Sequence, residues 1–365
     1  MGIIPFCEAG FLRELQIRVR WVYIIVVLNS RSMKKLNVAV VGVGSMGKNH
    51  VRIFSELKKV NLIAVCDING KNAREISRMY KTKYYSNHKQ LIKKEKLNAV
   101  SIAVPTELHE SVALDFIENN IPVLVEKPLA SNVKSAKRLI MKAKKERTLL
   151  TVGHVERFNP VVMKLHELIK NGKFGDILSI VIRRVGLFPL NFKDVGVVTD
   201  LGVHDLDIVT SLLGKNPEKI FARGGNAFTK KYYDHAEIFL DFGKIGCFIL
   251  TNWVTPVKIR KLSVTGTKGH AELDFITQKL EVFKSNFKLK QVKGFSKFVK
   301  EFGEPKKYEI KINSQEPLKL EMENFVNAIT GSEKLKVKPE EALNAIYLSE
   351  LVNKSINIRK IVKIK

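Results

Sequence analysis

LNVAVVGVGSMGKNHVRIF, residues 36–54, opens with a short apolar run from Val38 to Val41, places glycines at 42, 44 and 47, and continues at helical spacing. In a strand–turn–helix unit the first glycine permits the tight turn and the second lets the backbone approach a pyrophosphate. The third permits close helix packing, with the helix amino terminus facing the phosphates. Alone, that spacing is a weak signal. A second apolar run, NLIAVCD, ends at Asp67, 20 residues beyond Gly47, where a carboxylate can bind the adenosine ribose hydroxyls. The stretch therefore reads as a dinucleotide site whose loop is Gly42, Val43, Gly44, Ser45, Met46 and Gly47. Asp67 repels a 2′-phosphate and no arginine directly follows it, so NAD is favoured over NADP, with Arg74 the residue able to reach inward from the next helix. The competing reading of Asp67 is a solvated residue opening the DING turn.

Working outward, apolar strands alternate with helical segments as far as TLLTVGH at 148–154. Such alternation indicates a parallel sheet covered by helices on both faces, with ligands beyond the carboxyl ends of its strands. That rule selects VPTELH (104–109), EKP (126–128) and GHVERFNP (153–160). Pro105, Thr106, His109, Glu126 and Lys127 thus join the candidate cofactor contacts. After a helix at RFNPVVMKLHELIKNG the pattern changes to short strands joined by turns, from DILSIVIRRVG to KYEIKIN, and ends in two helices. The expected fold is α/β: an N-terminal Rossmann-like parallel sheet over 33–155, and an α+β C-terminal domain over 156–365 with a large, mostly antiparallel open sheet. The C-terminal helices are expected to pack back towards the first domain.

A chain of 365 residues with 45% hydrophobic and 27% charged content suits two globular domains. Its formal charge of +27, from 63 basic and 36 acidic residues, is spread along the chain, which fits a phosphate-bearing ligand as well as an unspecific polyanion. KSNFKLKQVKGFSKFVK at 284–300 interleaves lysine with phenylalanine as single-strand binders do, yet the same pattern suits core phenylalanines with solvated lysines, and no specific nucleic-acid partner is expected. Cys7, Cys66 and Cys247 form no close pair, in keeping with a reducing, cytoplasmic setting. WVYIIVVL at 21–28 is far short of the ~20 residues a membrane helix needs. Residues 1–32 are expected to be an extension dispensable for chemistry, because Met33 directly precedes KKLNVAVVGVG.

VTDLGVHDLDI, residues 198–208, sets Asp200, His204 and Asp207 on one helical stripe, while Leu206, Val209 and Leu213 lie on another that can face a core. A histidine in the first turns of a helix feels the amino-terminal dipole, which keeps its ring neutral and able to accept a proton. Gly202 is expected where a ligand comes close. Lys127 at a strand end can donate to a substrate hydroxyl and favour the developing alkoxide. The bland readings are a local salt bridge for Lys127, a cap at Thr199 or Asp200, a solvated Asp207, and core packing for His109 and His154. No metal site is expected, since HExxH and close zinc-ligand spacings are absent.

VGVGSMGKNH, VPTELH, EKPLA and DLGVHDLD, in that order, resemble the glucose–fructose oxidoreductase, inositol dehydrogenase and rhizopine-catabolism family of sugar dehydrogenases, over about residues 34–355. The resemblance implies that Lys127, Asp200 and His204 are catalytic, with His204 the base, Lys127 assisting proton transfer and Asp200 holding substrate. It also implies a cis Lys127–Pro128 bond and a homo-oligomer. VGHVERFNPVV is similar to the segment in UDP-N-acetylglucosamine 3-dehydrogenases and their uronic-acid counterparts, which adds Arg157 and Asn159 to Lys127, Asp200 and His204 as substrate-binding candidates. The implied reaction oxidises the sugar 3-hydroxyl of UDP-N-acetylglucosamine or its uronic acid with hydride transfer to NAD. A dehydrogenase of a free sugar, inositol or another polyhydroxy molecule is the alternative, and a non-catalytic nucleotide-binding module is the alternative of another class.

Overall fold

Val38 to Val41 form the centre of the first sheet because a strand flanked on both sides and covered on both faces must be apolar throughout. In a computed structural model, which describes residues 35–188, 195–284 and 306–364, that strand is β1 (Leu36–Val41). The 1–32 extension and all but Lys284 of the lysine–phenylalanine tract lie outside the described residues. Around β1 the order is β3-β2-β1-β4-β5-β6, all parallel, with β2 (Val60–Cys66), β3 (Lys83–Tyr85), β4 (Ala99–Ile102), β5 (Val123–Glu126) and β6 (Leu150–Gly153). The crossovers are α1 (Ser45–Glu56), α2 (Gly70–Met79), α3 (His88–Lys94), α4 (His109–Ile117) and α5 (Val133–Lys145). Asn69 starts α2 and Asn132 starts α5, each side chain accepting from free amides of the first turn. β3 and α3 were not anticipated. Their lysine-rich, half-exposed residues show too little apolar alternation to announce themselves.

α6 (Pro160–Lys170) leads into the second sheet, with Pro160 at its first position where a missing donor costs nothing. That sheet runs β14-β13-β12-β11-β7-β10-β9-β8-β15. Its strands are β7 (Ile177–Val185), β8 (Lys219–Gly225), β9 (His235–Asp241), β10 (Gly246–Asn252), β11 (Ile259–Gly266), β12 (Gly269–Asp274), β13 (Lys279–Lys284), β14 (Lys306–Ile310) and β15 (Val362–Lys363). Among the described pairs only β7 with β10 is parallel, so the sheet is mostly antiparallel as expected. One face is covered by α6, α7 (Val203–Leu213) and α9 (Pro339–Ile358), whose Leu165, Leu206, Val209, Leu348 and Val352 share a core with Ile182, Ile238 and Ile249.

The C-terminal helices do pack back. α8 (Pro317–Ile329) buries Met322 and Phe325 against Val38, Val40 and Phe54, while α9 buries Ala342 and Ile346 against the other side of the first sheet. One residue of α8 is out of keeping with that apolar contact. Glu321 is 2% exposed, and neither carboxyl oxygen has a hydrogen-bond partner. Burial, and then the negative charge of Glu126, push its pKa well above the usual carboxylate value. A folded pKa raised above the unfolded one gives stability that is present at acid pH and lost as pH rises. Glu321→Met is therefore expected to stabilise the fold by about 1–3 kcal/mol at pH 8, with the gain shrinking towards pH 4. Thermal melts across that range read it out, and a gain independent of pH would contradict it.

Candidate active site

The glycine loop is built for close approach. Gly42 has φ +87°, and a Cβ there would stand 2.5 Å from the Ala103 carbonyl oxygen. A Cβ on Gly47 would meet the Gly42 carbonyl at 1.8 Å, so no side chain fits the start of α1 at that point. Gly44 differs: its Cβ position meets no atom within 4 Å. It therefore borders open space at the helix amino terminus, which has no side-chain cap and no acidic residue in its first turn. Those unspent amides and the open approach fit a pyrophosphate. Asp67 holds the loop in place, its Oδ2 accepting from Val43 N at 2.8 Å and its Oδ1 from Asn69 N at 2.8 Å. Arg74 donates to the Tyr84 hydroxyl at 2.9 Å and lies 5.3 Å from that ring's centre, so it is engaged there.

Lys127 follows β5, and its bond to Pro128 is cis. Its Nζ donates to the backbone oxygen of Asp200 at 2.7 Å and to Asp200 Oδ1 at 2.9 Å. Asp200 lies in a π-helical turn, Val198–Gly202, that runs straight into α7 and brings His204 alongside. The half-buried His204 ring has its Nδ1 buried without a hydrogen-bond partner. Burial first, then the charges of Lys127, Arg184, His154 and Arg260, push its pKa well below the ordinary histidine value. The causes are burial and neighbouring cations, where the sequence suggested the helix dipole. With the π-turn ahead of it, the ring stands beyond the first helical turn, where the dipole has faded. Gly202 also differs from expectation, since its Cβ position points to Thr251 Cγ2 at 3.7 Å on the sheet side.

A buried chain of polar groups braces the lysine from behind. Glu126 accepts from Lys127 N at 3.1 Å and faces His50 Nε2 at 2.9 Å, and His50 Nδ1 meets Ser101 Oγ at 2.6 Å. Burial pushes Glu126 up, but the His50 hydrogen bond and the charges of His50 and Lys127 outweigh it and hold the carboxyl below its usual value. Glu126 thus spends its carboxylate on this brace, whereas the sequence suggested a cofactor contact. Sequence reasoning passed over His50, and the one available signal was its place one turn after Gly47 on the buried side of α1. His109 is likewise buried, its ring nitrogens 2.8 Å from Pro128 O and 2.9 Å from Val104 O, tying the loop after β4 to the lysine loop. Pro105 and Thr106 lie in that loop, Pro105 exposed and Thr106 half-buried.

Arg157 and Asn159 are engaged within the protein and not by an open cleft. Arg157 makes two bonds to Asp207, at 2.7 and 2.6 Å, and a third contact to Glu341 at 3.0 Å. Asn159 is 2% exposed, caps α6 through Val161 N, and donates to Phe275 O at 3.1 Å. Glu156 does not pair with Arg157; it accepts from Arg184 at 2.8 Å, and Arg184 also donates to Asp205 at 2.7 Å. His154 lies buried 3.5 Å from Asp207, its pKa lowered chiefly by burial. Asp207 is buried too, which removes the bland reading of a solvated residue. Among the described residues no group of three or more His, Cys, Asp or Glu is placed to hold a metal ion, and no helix is long and apolar enough to cross a membrane.

Residues 36–154 match the oxidoreductase family's NAD-binding Rossmann fold, and residues 166–364 match the oxidoreductase family's C-terminal alpha/beta domain, the two halves of the glucose–fructose oxidoreductase, inositol dehydrogenase and rhizopine-catabolism family. The chain belongs to this family. It is an NAD-binding oxidoreductase. A UDP-N-acetylglucosamine 3-dehydrogenase of Acidithiobacillus ferrooxidans is 26% identical over 252 residues, 69% of this chain and 78% of that protein. The protein named inositol 2-dehydrogenase 2 of Saccharopolyspora erythraea is 31% identical over 185 residues, 49% of this chain and 54% of its own length, so the match spans about half of that relative. The solved structure of the Acidithiobacillus ferrooxidans enzyme superposes with a TM-score of 0.78 at 23% identity, over 89% of this chain and 99% of that one, a likeness of fold.

Proposed function

We infer that this oxidoreductase oxidises the 3-hydroxyl of UDP-N-acetylglucosamine, or of its uronic acid, to a ketone. The observation that carries the reading is Lys127 Nζ joined to Asp200, with His204 four residues further on, at the carboxyl end of a strand in the nucleotide sheet. Bound NAD supplies the hydride acceptor. An alcohol that gives up a hydride must also lose its proton. Neutral His204 accepts that proton, the Lys127 ammonium donates to the oxygen as negative charge develops, and Asp200 holds the ammonium in place. Support for a nucleotide sugar comes from the 26% identical relative of that name and from a chain charge of +27 that draws anions in.

Absorbance at 340 nm with NAD and each of UDP-N-acetylglucosamine, its uronic acid and myo-inositol tests the reading, with product mass analysis covering tightly held NADH. Turnover of myo-inositol but of neither UDP-sugar would replace the substrate and keep the chemistry. Absence of product from all three would reject each of these substrates for this oxidoreductase.

The same reading includes a homo-oligomer formed through the face of the second sheet opposite α6, α7 and α9. Phe221, Phe239 and Phe248 stand directly opposite one another across β8, β9 and β10, at 38%, 47% and 38% exposed. Three aligned phenylalanines on an open sheet are an apolar patch suited to burial against a second copy. A Phe239→Glu, Phe248→Glu double variant is expected to sediment as a smaller species than the parent; equal sedimentation would remove this face from assembly.

A further inference from the structure

Three arginines gather on the covered side of the second sheet near His204, and two of them are ion-paired. Arg157 has Asp207 and Glu341, and Arg184 has Asp205 and Glu156. Arg260 stands opposite Arg184 in the β7–β11 ladder, on the same face, and has no carboxylate within 4 Å among the described residues. It is half-buried, and Asp205, Glu156 and Asp200, together with the neutral His204 ring, are within electrostatic reach of it. One amino group, Nη1, donates to Val185 O at 2.5 Å and to Ile259 O at 3.0 Å. Those two carbonyls fix the plane of the guanidinium, and among the described residues no acceptor is bonded to its Nε–Nη2 edge. Two parallel N–H donors on that edge match a pair of anionic oxygens.

We propose that Arg260 is a specificity residue that receives a pair of anionic oxygens of the substrate beside the catalytic lysine. A half-buried cation with no carboxylate in direct contact is costly to hold, and an arriving anion offsets that cost. Burial and then the charge of Arg184 push its pKa below the ordinary arginine value, against the opposing pull of Asp205, Glu156 and Asp200. Carboxylate and phosphate present the same oxygen pair, so a uronic-acid carboxylate and a nucleotide diphosphate are the two sources. The proposal rests on the nucleotide-sugar reading for the identity of the ligand, and on the position of Arg260 for its role.

The test compares wild type with Arg260→Met, which keeps length without charge, and Arg260→Lys, which keeps charge without the fork. Each is assayed for NADH formation from UDP-N-acetylglucosamine and from its uronic acid, and titrated calorimetrically with UDP and with glucuronate in the presence of NADH. Unchanged NADH binding reports an intact fold. Arg260→Met is expected to lower kcat/KM by about 10- to 100-fold, mainly through KM, with only part of the loss recovered by Arg260→Lys. A loss confined to the uronic acid identifies the carboxylate, and an equal loss for both sugars identifies the diphosphate. Equal KM and equal ligand affinity in wild type and Arg260→Met overturn the proposal. So does a wild-type preference for an uncharged polyol. If neither sugar is oxidised, the nucleotide-sugar reading fails by itself, and the calorimetric arm still decides Arg260: binding that disappears in the variant supports it, and no binding or unchanged binding overturns it.

Discussion

Lys127→Met is expected to lower kcat by about a thousandfold while NAD binding is retained. Methionine keeps the length and apolar stem of lysine and removes only the ammonium, which donates to both the backbone oxygen and Oδ1 of Asp200. The glycine loop and Asp67 are untouched by the change, so the cofactor is held as before. In the proposed mechanism, what disappears is the donor facing the oxygen that gains negative charge, an interaction stronger in the transition state than in the ground state, so its loss falls on kcat. Lys127→Arg is expected to recover little, because a guanidinium holds its proton at every working pH and is too broad for a site cut to one Nζ. Steady-state rates at saturating substrate and NAD, alongside calorimetry for NAD, check the expectation. A variant with wild-type kcat and a lowered melting temperature would make Lys127 a strut between the two sheets and nothing more. The pH profile adds an independent check. With its pKa held well below the ordinary value, His204 stays neutral across the usual assay range, so the acid limb of activity does not fall at an ordinary histidine pKa.

The parts of this site that were legible in the sequence are those whose physical requirement is local. Gly42 needs a left-handed turn, Gly47 needs an absent Cβ, and Asp67 must end the next strand; spacing alone encodes all three. Lys127, Asp200 and His204 were legible as residue types and by family resemblance, but their partners were not. His50 meets a carboxylate 76 residues away, and that pairing depends on how α1 lies over the sheet. Arg260 and Arg184 share a face only because β7 and β11 pair in one particular register, and a slip of one residue would turn either to the opposite side. The π-turn before α7 changes which face Asp200 presents relative to His204, and helical spacing read at 3.6 residues per turn has no means of announcing it. Arg157 and Asn159 show the converse case. Resemblance suggested a ligand for both, whereas their side chains are committed to an ion pair and a helix cap.

Asp207→Asn is expected to cost about 3–5 kcal/mol of stability, the largest loss foreseen for a residue outside the chemistry. Asp207 is 1% exposed and takes both of its strong bonds from one guanidinium, Arg157 Nε at 2.7 Å and Nη2 at 2.6 Å. Asparagine keeps the shape but replaces one acceptor by a donor facing a donor, and it leaves the buried cation with only the partly exposed Glu341. The neighbouring His154 ring, buried at 3.5 Å and already depressed by its burial, offers no compensating charge. Because Arg157 follows the last strand of the nucleotide sheet while Asp207 lies three residues after His204 on α7, the pair also sets how His204, the proposed base, stands relative to Lys127. Activity at low temperature should therefore fall along with the melting temperature. An Arg157→Met, Asp207→Leu double variant separates the two causes: removing both charges relieves the unpaired cation, so much of the stability should return while activity stays low. If the double variant is instead no more stable than Asp207→Asn, the loss comes from packing. If the single variant melts with wild type, the ion pair does not hold the two halves together.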